Sequence, residues 1–86
     1  MILLYTVYEK TADKWSPVMD APSEEIAKRK FALAIKDTIF LEDFELVQIG
    51  SFDDEIGKLK SISNKHIVYG NEVQDIIDRF NPPSRS

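Results

Sequence analysis

Residues 2–10, ILLYTVYEK, place apolar side chains on both sides of an extended chain. Leu3, Tyr5 and Val7 share one face; Ile2, Leu4, Thr6 and Tyr8 share the other. Aromatic and aliphatic content predicts a strand, and two apolar faces predict a central strand covered on both sides. The following TADKWSP reads as turn and loop, and Pro17 and Pro22 keep residues 17–22 extended or irregular. The pattern then changes period. Ser23 is a good N-cap, with Glu24 and Glu25 in a first turn where the helix dipole favours anions. A helix is predicted over residues 24–37, with Ala27, Phe31, Ala34 and Ile35 as its apolar stripe. Ile26 and Leu33 form a second stripe, and Lys30 lies between the two. Lys30 either lays its stem along the core edge and snorkels, or the second stripe meets another chain.

Alternation returns over residues 44–52 and 58–62, which read as a hairpin. Phe44, Leu46, Gln48, Gly50 and Phe52 fall on one face and Glu45, Val47, Ile49 and Ser51 on the other, unless a bulge at Gly50 resets the alternation. Gly57 supplies the positive φ that closes a loop of this length. Asn71, with Gln74 three residues on, resembles a capping box, and Val73, Ile76, Ile77 and Phe80 follow as a helical stripe. Asn81-Pro82-Pro83 ends that helix. The predicted order is strand, helix, strand, strand, helix: an α+β fold with a mostly antiparallel three-stranded sheet and two packed helices. A short extra strand near Val18 or over residues 67–69 is compatible with it. Residues 1–81 form a single domain, and residues 82–86 a C-terminal tail expected to fray.

Eighty-six residues, 43% of them apolar and without low-complexity runs, can fold as one domain with a slim margin. A further interface would help so small a core. There are no cysteines, which suits a reducing cytosol and removes disulfides and thiolate metal sites. MILLYTVYEK lacks the basic start and long apolar run of a signal peptide, and no segment reaches the roughly 20 apolar residues of a membrane span. No membrane partner is expected. Net charge is −4, and each half contributes −2: eight acids against six bases in residues 1–43, then seven against five. Phosphate backbones repel such a chain weakly, so nucleic-acid binding needs a local basic face.

Candidate chemistry is sparse. Asp53, Asp54 and Glu55 crowd the hairpin tip, but adjacent side chains diverge, whereas a calcium loop needs ligands at alternate positions with a distal Glu. Asp also initiates turns by accepting local N–H groups, and that is the favoured reading. His66 is the only histidine; Ser61 and Ser63 lack a nucleophile elbow, and there is no phosphate loop and no paired-histidine metal spacing. No catalytic residue, metal or cofactor is expected. From Ile56 to His66 the chain holds Lys58, Lys60 and Lys65 and no acid, and Lys58 and Lys60 project from the same face of one strand, a spacing suited to a phosphate backbone. Lys28 and Arg29 could add to it, with Tyr5, Tyr8, Trp15 and Phe52 available for stacking. The alternative is an edge strand protected from aggregation by its lysines. Surplus apolar surface at Val47, Ile49, Ile26 and Leu33 points to a twofold homodimer.

Three strings carry a family resemblance: LYTVYEK near the start, AKRKFALAIKD in the first helix, and DFELVQIGSFDDEIG. The last resembles an Asp-Phe-x-Leu-x-x-(Leu/Ile)-Gly-x-Phe-Asp-Asp-x-x-Gly pattern at Asp43, Phe44, Leu46, Ile49, Gly50, Phe52, Asp53, Asp54 and Gly57. Over about residues 3–60 the chain resembles the small nonstructural protein of gokushovirus-type microviruses, phages with single-stranded DNA genomes. The DTIFLE loop before Asp43 is shorter than in that family, and residues from Ile62 onward lie outside the resemblance. The resemblance implies a non-virion accessory factor in single-stranded DNA synthesis or packaging, in the host cytoplasm, with viral DNA, replication proteins or a host protein as partners. No catalytic residue carries over. The reading from a different class is an assembly or host-interaction module with no nucleic-acid role, which the acidic balance favours.

Overall fold

A computed structural model describes residues 1–80, apart from the side chains of Ile77, Arg79 and Phe80. The predicted end of the last helix at Asn81 and the tail 82–86 lie outside the described residues. β1 spans Ile2–Glu9, β2 Lys14–Trp15 and β3 Met19–Ala21. α1 follows at Glu24–Ile35, a 3₁₀ turn at Leu41–Asp43, β4 at Phe44–Asp53 and β5 at Lys58–Tyr69. A second 3₁₀ turn at Gly70–Val73 leads into α2, Gln74–Phe80. The architecture is α+β with an antiparallel sheet and two helices.

The sheet has five strands rather than the three expected. Its order is β2-β1-β4-β5, with β3 also paired to β1. β2 and β3 lie along the same edge of β1, opposite Tyr8–Glu9 and Leu3–Tyr5 respectively. They are one strand interrupted near Pro17, which has no N–H to give to the ladder. Ser16 bridges the gap: its N–H donates to the Val7 carbonyl at 2.8 Å, and its Oγ accepts from the Val7 N–H at 2.9 Å. β3 is the short extra strand anticipated near Val18; two prolines and a short polar run hid β2 from a reading by alternation. β5 also outruns its predicted end at residue 62, because irregular pairing opposite Leu46–Gly50 absorbs extra residues and breaks the alternation.

α1 begins where expected, with Ser23 Oγ accepting the Ile26 N–H at 3.2 Å. It ends at Ile35, two residues early. Ala27, Phe31 and Ile35 are buried as expected, but Ala32 is buried and Ala34 exposed. α2 and the turn before it pack on the Ala32 flank, which draws the buried stripe round the helix. Phe31 and Tyr5, Leu46 and Val73 are the largest fully buried side chains of a core between α1 and one sheet face. At the second helix, the expected Asn71–Gln74 box is replaced: Glu72 accepts the Tyr69 N–H at 2.6 Å. A 3₁₀ turn thus starts one residue before Asn71, with Tyr69 as its N-cap and Gly70 as its first residue.

The anticipated bulge is present. Leu4 pairs with Gly50 and Tyr5 with Gln48, so Ile49 is the extra residue on β4. Directly paired residues share a face, and Phe52 therefore joins Ile2 and Leu4 on the side away from the helices rather than joining Phe44 and Leu46.

Candidate functional site

The acidic tip is held by its own turn. Asp53 Oδ1 accepts the Glu55 N–H at 3.0 Å, and the Gly57 N–H closes on the Asp53 carbonyl at 2.7 Å. Gly57 sits at φ +67°. Asp54 faces the N-terminal amine at 3.5 Å. These contacts spend the Asp53 and Asp54 carboxylates on local geometry and the chain end, while Glu55 takes part through its backbone N–H. Among the described residues, no three of His, Asp and Glu gather as metal ligands would.

β5 is an edge strand, and residues 58–66 are exposed throughout. Lys60 pairs with Ser51 and Lys65 with Gln48, and these partners lie opposite Leu3 and Tyr5, whose side chains pack toward the helices. Lys58, two residues from Lys60, follows the same side. The pairing thus brings Lys58, Lys60 and Lys65 to one face, and none of them makes an ion pair among the described residues. Lys28 and Arg29 are placed elsewhere: α1 lies over β1, β3 and β4, Lys28 is paired with Glu24 at 3.5 Å, and Arg29 is exposed. Lys30 snorkels, donating from Nζ to the Asp20 carbonyl at 2.7 Å.

The four residues expected at a dimer interface have unlike environments. Val47 is 3% exposed and cannot offer a surface. Ile26 is half-buried against the core, Ile49 is half-buried at the bulge, and Leu33 is exposed.

A second cluster escaped the sequence reading as a unit. Across the helix-free face, Trp15 pairs with Tyr8, Tyr8 with Glu45, and Glu45 with Tyr69, a single row over four strands. The Trp15 and Tyr8 ring centroids are 4.5 Å apart, as are those of His66 and Tyr69. Lys10 Nζ lies 4.9 Å over the Tyr69 ring. His66 Nδ1 contacts Glu45 Oε2 at 2.6 Å, and its Nε2 stands 3.9 Å from Glu72. Tyr8 donates its hydroxyl to Asp13 at 2.6 Å, a bond that, with burial and the nearby carboxylates, raises its pKa. Asp13 reaches this position through a left-handed backbone at φ +51°. Tyr8 and Trp15 were visible as stacking candidates; Tyr69 and His66 were not, because the length of β5 and the bulge at Ile67 set their face. Of the other two stacking candidates, Tyr5 is fully buried and Phe52 is half-buried at the far end of this face.

A family model described as Phage ORF5 protein matches residues 2–73, nearly all of the described chain. No curated protein matches the chain, and neither does a solved structure.

Proposed function

We propose, because the chain belongs to the Phage ORF5 protein family, that it is a non-enzymatic phage accessory protein working through its surfaces in the host cytoplasm. Its finer resemblance to the small nonstructural protein of gokushovirus-type microviruses supports a role in viral single-stranded DNA synthesis or packaging. The observation that carries the DNA part is the common face of Lys58, Lys60 and Lys65 on an exposed edge strand, free of ion pairs among the described residues. Three phosphates neutralised give weak, sequence-tolerant binding that salt removes steeply, with a log–log slope near −2 for a single strand. Lys28 and Arg29 are secondary, since Glu24 already neutralises Lys28.

The test is an anisotropy titration with labelled single-stranded DNA at two salt concentrations, on the native chain and on Lys58→Glu/Lys60→Glu. Affinity should fall at least tenfold in the double variant, and its salt slope should flatten. Unchanged affinity would remove the β5 lysines from the reading. The second reading, an assembly or host-interaction module, is favoured by the −4 net charge and by the hydrogen-bonding edge of β5, which no strand among the described residues pairs with. Absence of measurable DNA binding at low salt would select it.

A further inference from the structure

We infer that the helix-free face of the sheet is a stacking platform for unpaired nucleic-acid bases, built from Trp15, Tyr8 and Tyr69 and bordered by Lys10 and His66. This rests on the DNA reading but uses a different surface from the β5 lysines, which lie on the helix side.

Three observations carry it. First, the rings lie in one cross-strand row, so the sheet spacing of roughly 4.8 Å fixes where each can stand. Trp15 and Tyr8 are neighbours, and Tyr69 stands two strand spacings from Tyr8 with Glu45 between them. The row thus offers π-faces at two places along a strand of bases, each of which has a π-face of its own. Second, the rings are accessible: Trp15 is 51% and Tyr69 38% exposed, although both could have been turned into a core this small. Third, a cation stands at the row in position to meet a phosphate. Lys10 makes no ion pair among the described residues. Lys10 already stands over Tyr69, where its ammonium can meet a phosphate while its stem stays on the ring.

The chain contains one tryptophan, so its intrinsic fluorescence reports the platform directly. The probes are oligothymidylate and an abasic strand of equal length, titrated against the full chain, with a labelled copy of each followed by anisotropy. Oligothymidylate should quench Trp15 and bind about tenfold more tightly than the abasic strand, and Trp15→Ala or Tyr69→Ala should each erase most of that preference. Equal binding of both strands without quenching would overturn the platform and leave the lysine reading standing. Binding of neither strand would overturn both. A Trp15 signal that changes with protein concentration alone, matched by a heavier species in sedimentation, would overturn the platform by assigning this face to a second copy.

Discussion

Tyr5 shows how much a single side chain can differ from what its neighbours in sequence suggest. It is fully buried in the core, and its hydroxyl has no hydrogen-bond partner among the described residues. Burial, and then the charge of Glu24, raises its pKa above the ordinary 10.0. Because the fold keeps the proton more tightly than the unfolded chain does, Tyr5 leaves stability intact below pH 10. Stability is then lost as the pH climbs from there toward the raised folded value. Tyr5→Phe removes an unsatisfied polar atom without changing the ring. It should leave the melting temperature at pH 7 unchanged or raise stability by up to about 1 kcal/mol. Thermal melts above pH 10 should show a shallower decline in the variant; an equal decline would assign the alkaline loss to another group. The face that Tyr5 shares with Leu3 and Val7 was legible, but its full burial was not, since it stood among the stacking candidates, and neither was the orphaned hydroxyl. A one-dimensional pattern says which face a residue takes, and says nothing of what stands opposite it.

The same boundary appears among the elements. Both helices, the central strand and the hairpin could be read from period, and the first helix from its cap, because those signals are local. Of the strand over residues 14–21 only a short piece near Val18 was legible, since its ladder is with β1. Of the second half of β5 only residues 67–69 were, and as a separate strand, because the irregular register erases the alternation that would join them to the hairpin. For the candidate surfaces, the spacing of Lys58 and Lys60 was legible, while the face of Lys65 and the aromatic row needed the register of the strands. The hairpin contains two glycines that the sequence treats alike and the fold does not. At Gly57 the backbone is left-handed with open space around it, so Gly57→Ala should cost about 1 kcal/mol and Gly57→Asn close to nothing. At Gly50 an added Cβ would collide with the Lys60 carbonyl and crowd the Ser61 Cα at 3.3 Å. Gly50→Ala should cost about 1–3 kcal/mol, and Asn should fare no better. Urea melts of the four variants check this; rescue of position 50 by Asn would contradict a steric cause.

At the scale of the whole molecule, apolar surface remains outside the core: Leu33 is 46%, Ile39 83% and Phe40 56% exposed. Leu33 belongs with Ile26 to the expected second stripe of α1, and Ile39 and Phe40 follow in the segment after the helix. A twofold homodimer through this side is our proposal for what covers them, at the cost of dropping Val47 from the interface. Sedimentation equilibrium at tens of micromolar should show twice the 9.9 kDa chain mass, reverting to monomer in Leu33→Asp. A single 9.9 kDa species in the native chain would exclude the dimer. The sheet order also governs how the molecule is made. The β1–β2–β3 edge and the β4–β5 hairpin can each close over short separations, within microseconds. Their union cannot, because Glu9 must find Phe44 and Ile2 must find Phe52 across the whole of α1. During synthesis, β1 emerges with an apolar strand edge that has no partner until residues beyond Asp53 have left the ribosome. The slow step of folding should therefore be the β1–β4 junction, and mutations there should slow refolding while those along the outer stretch of β5 mainly hasten unfolding.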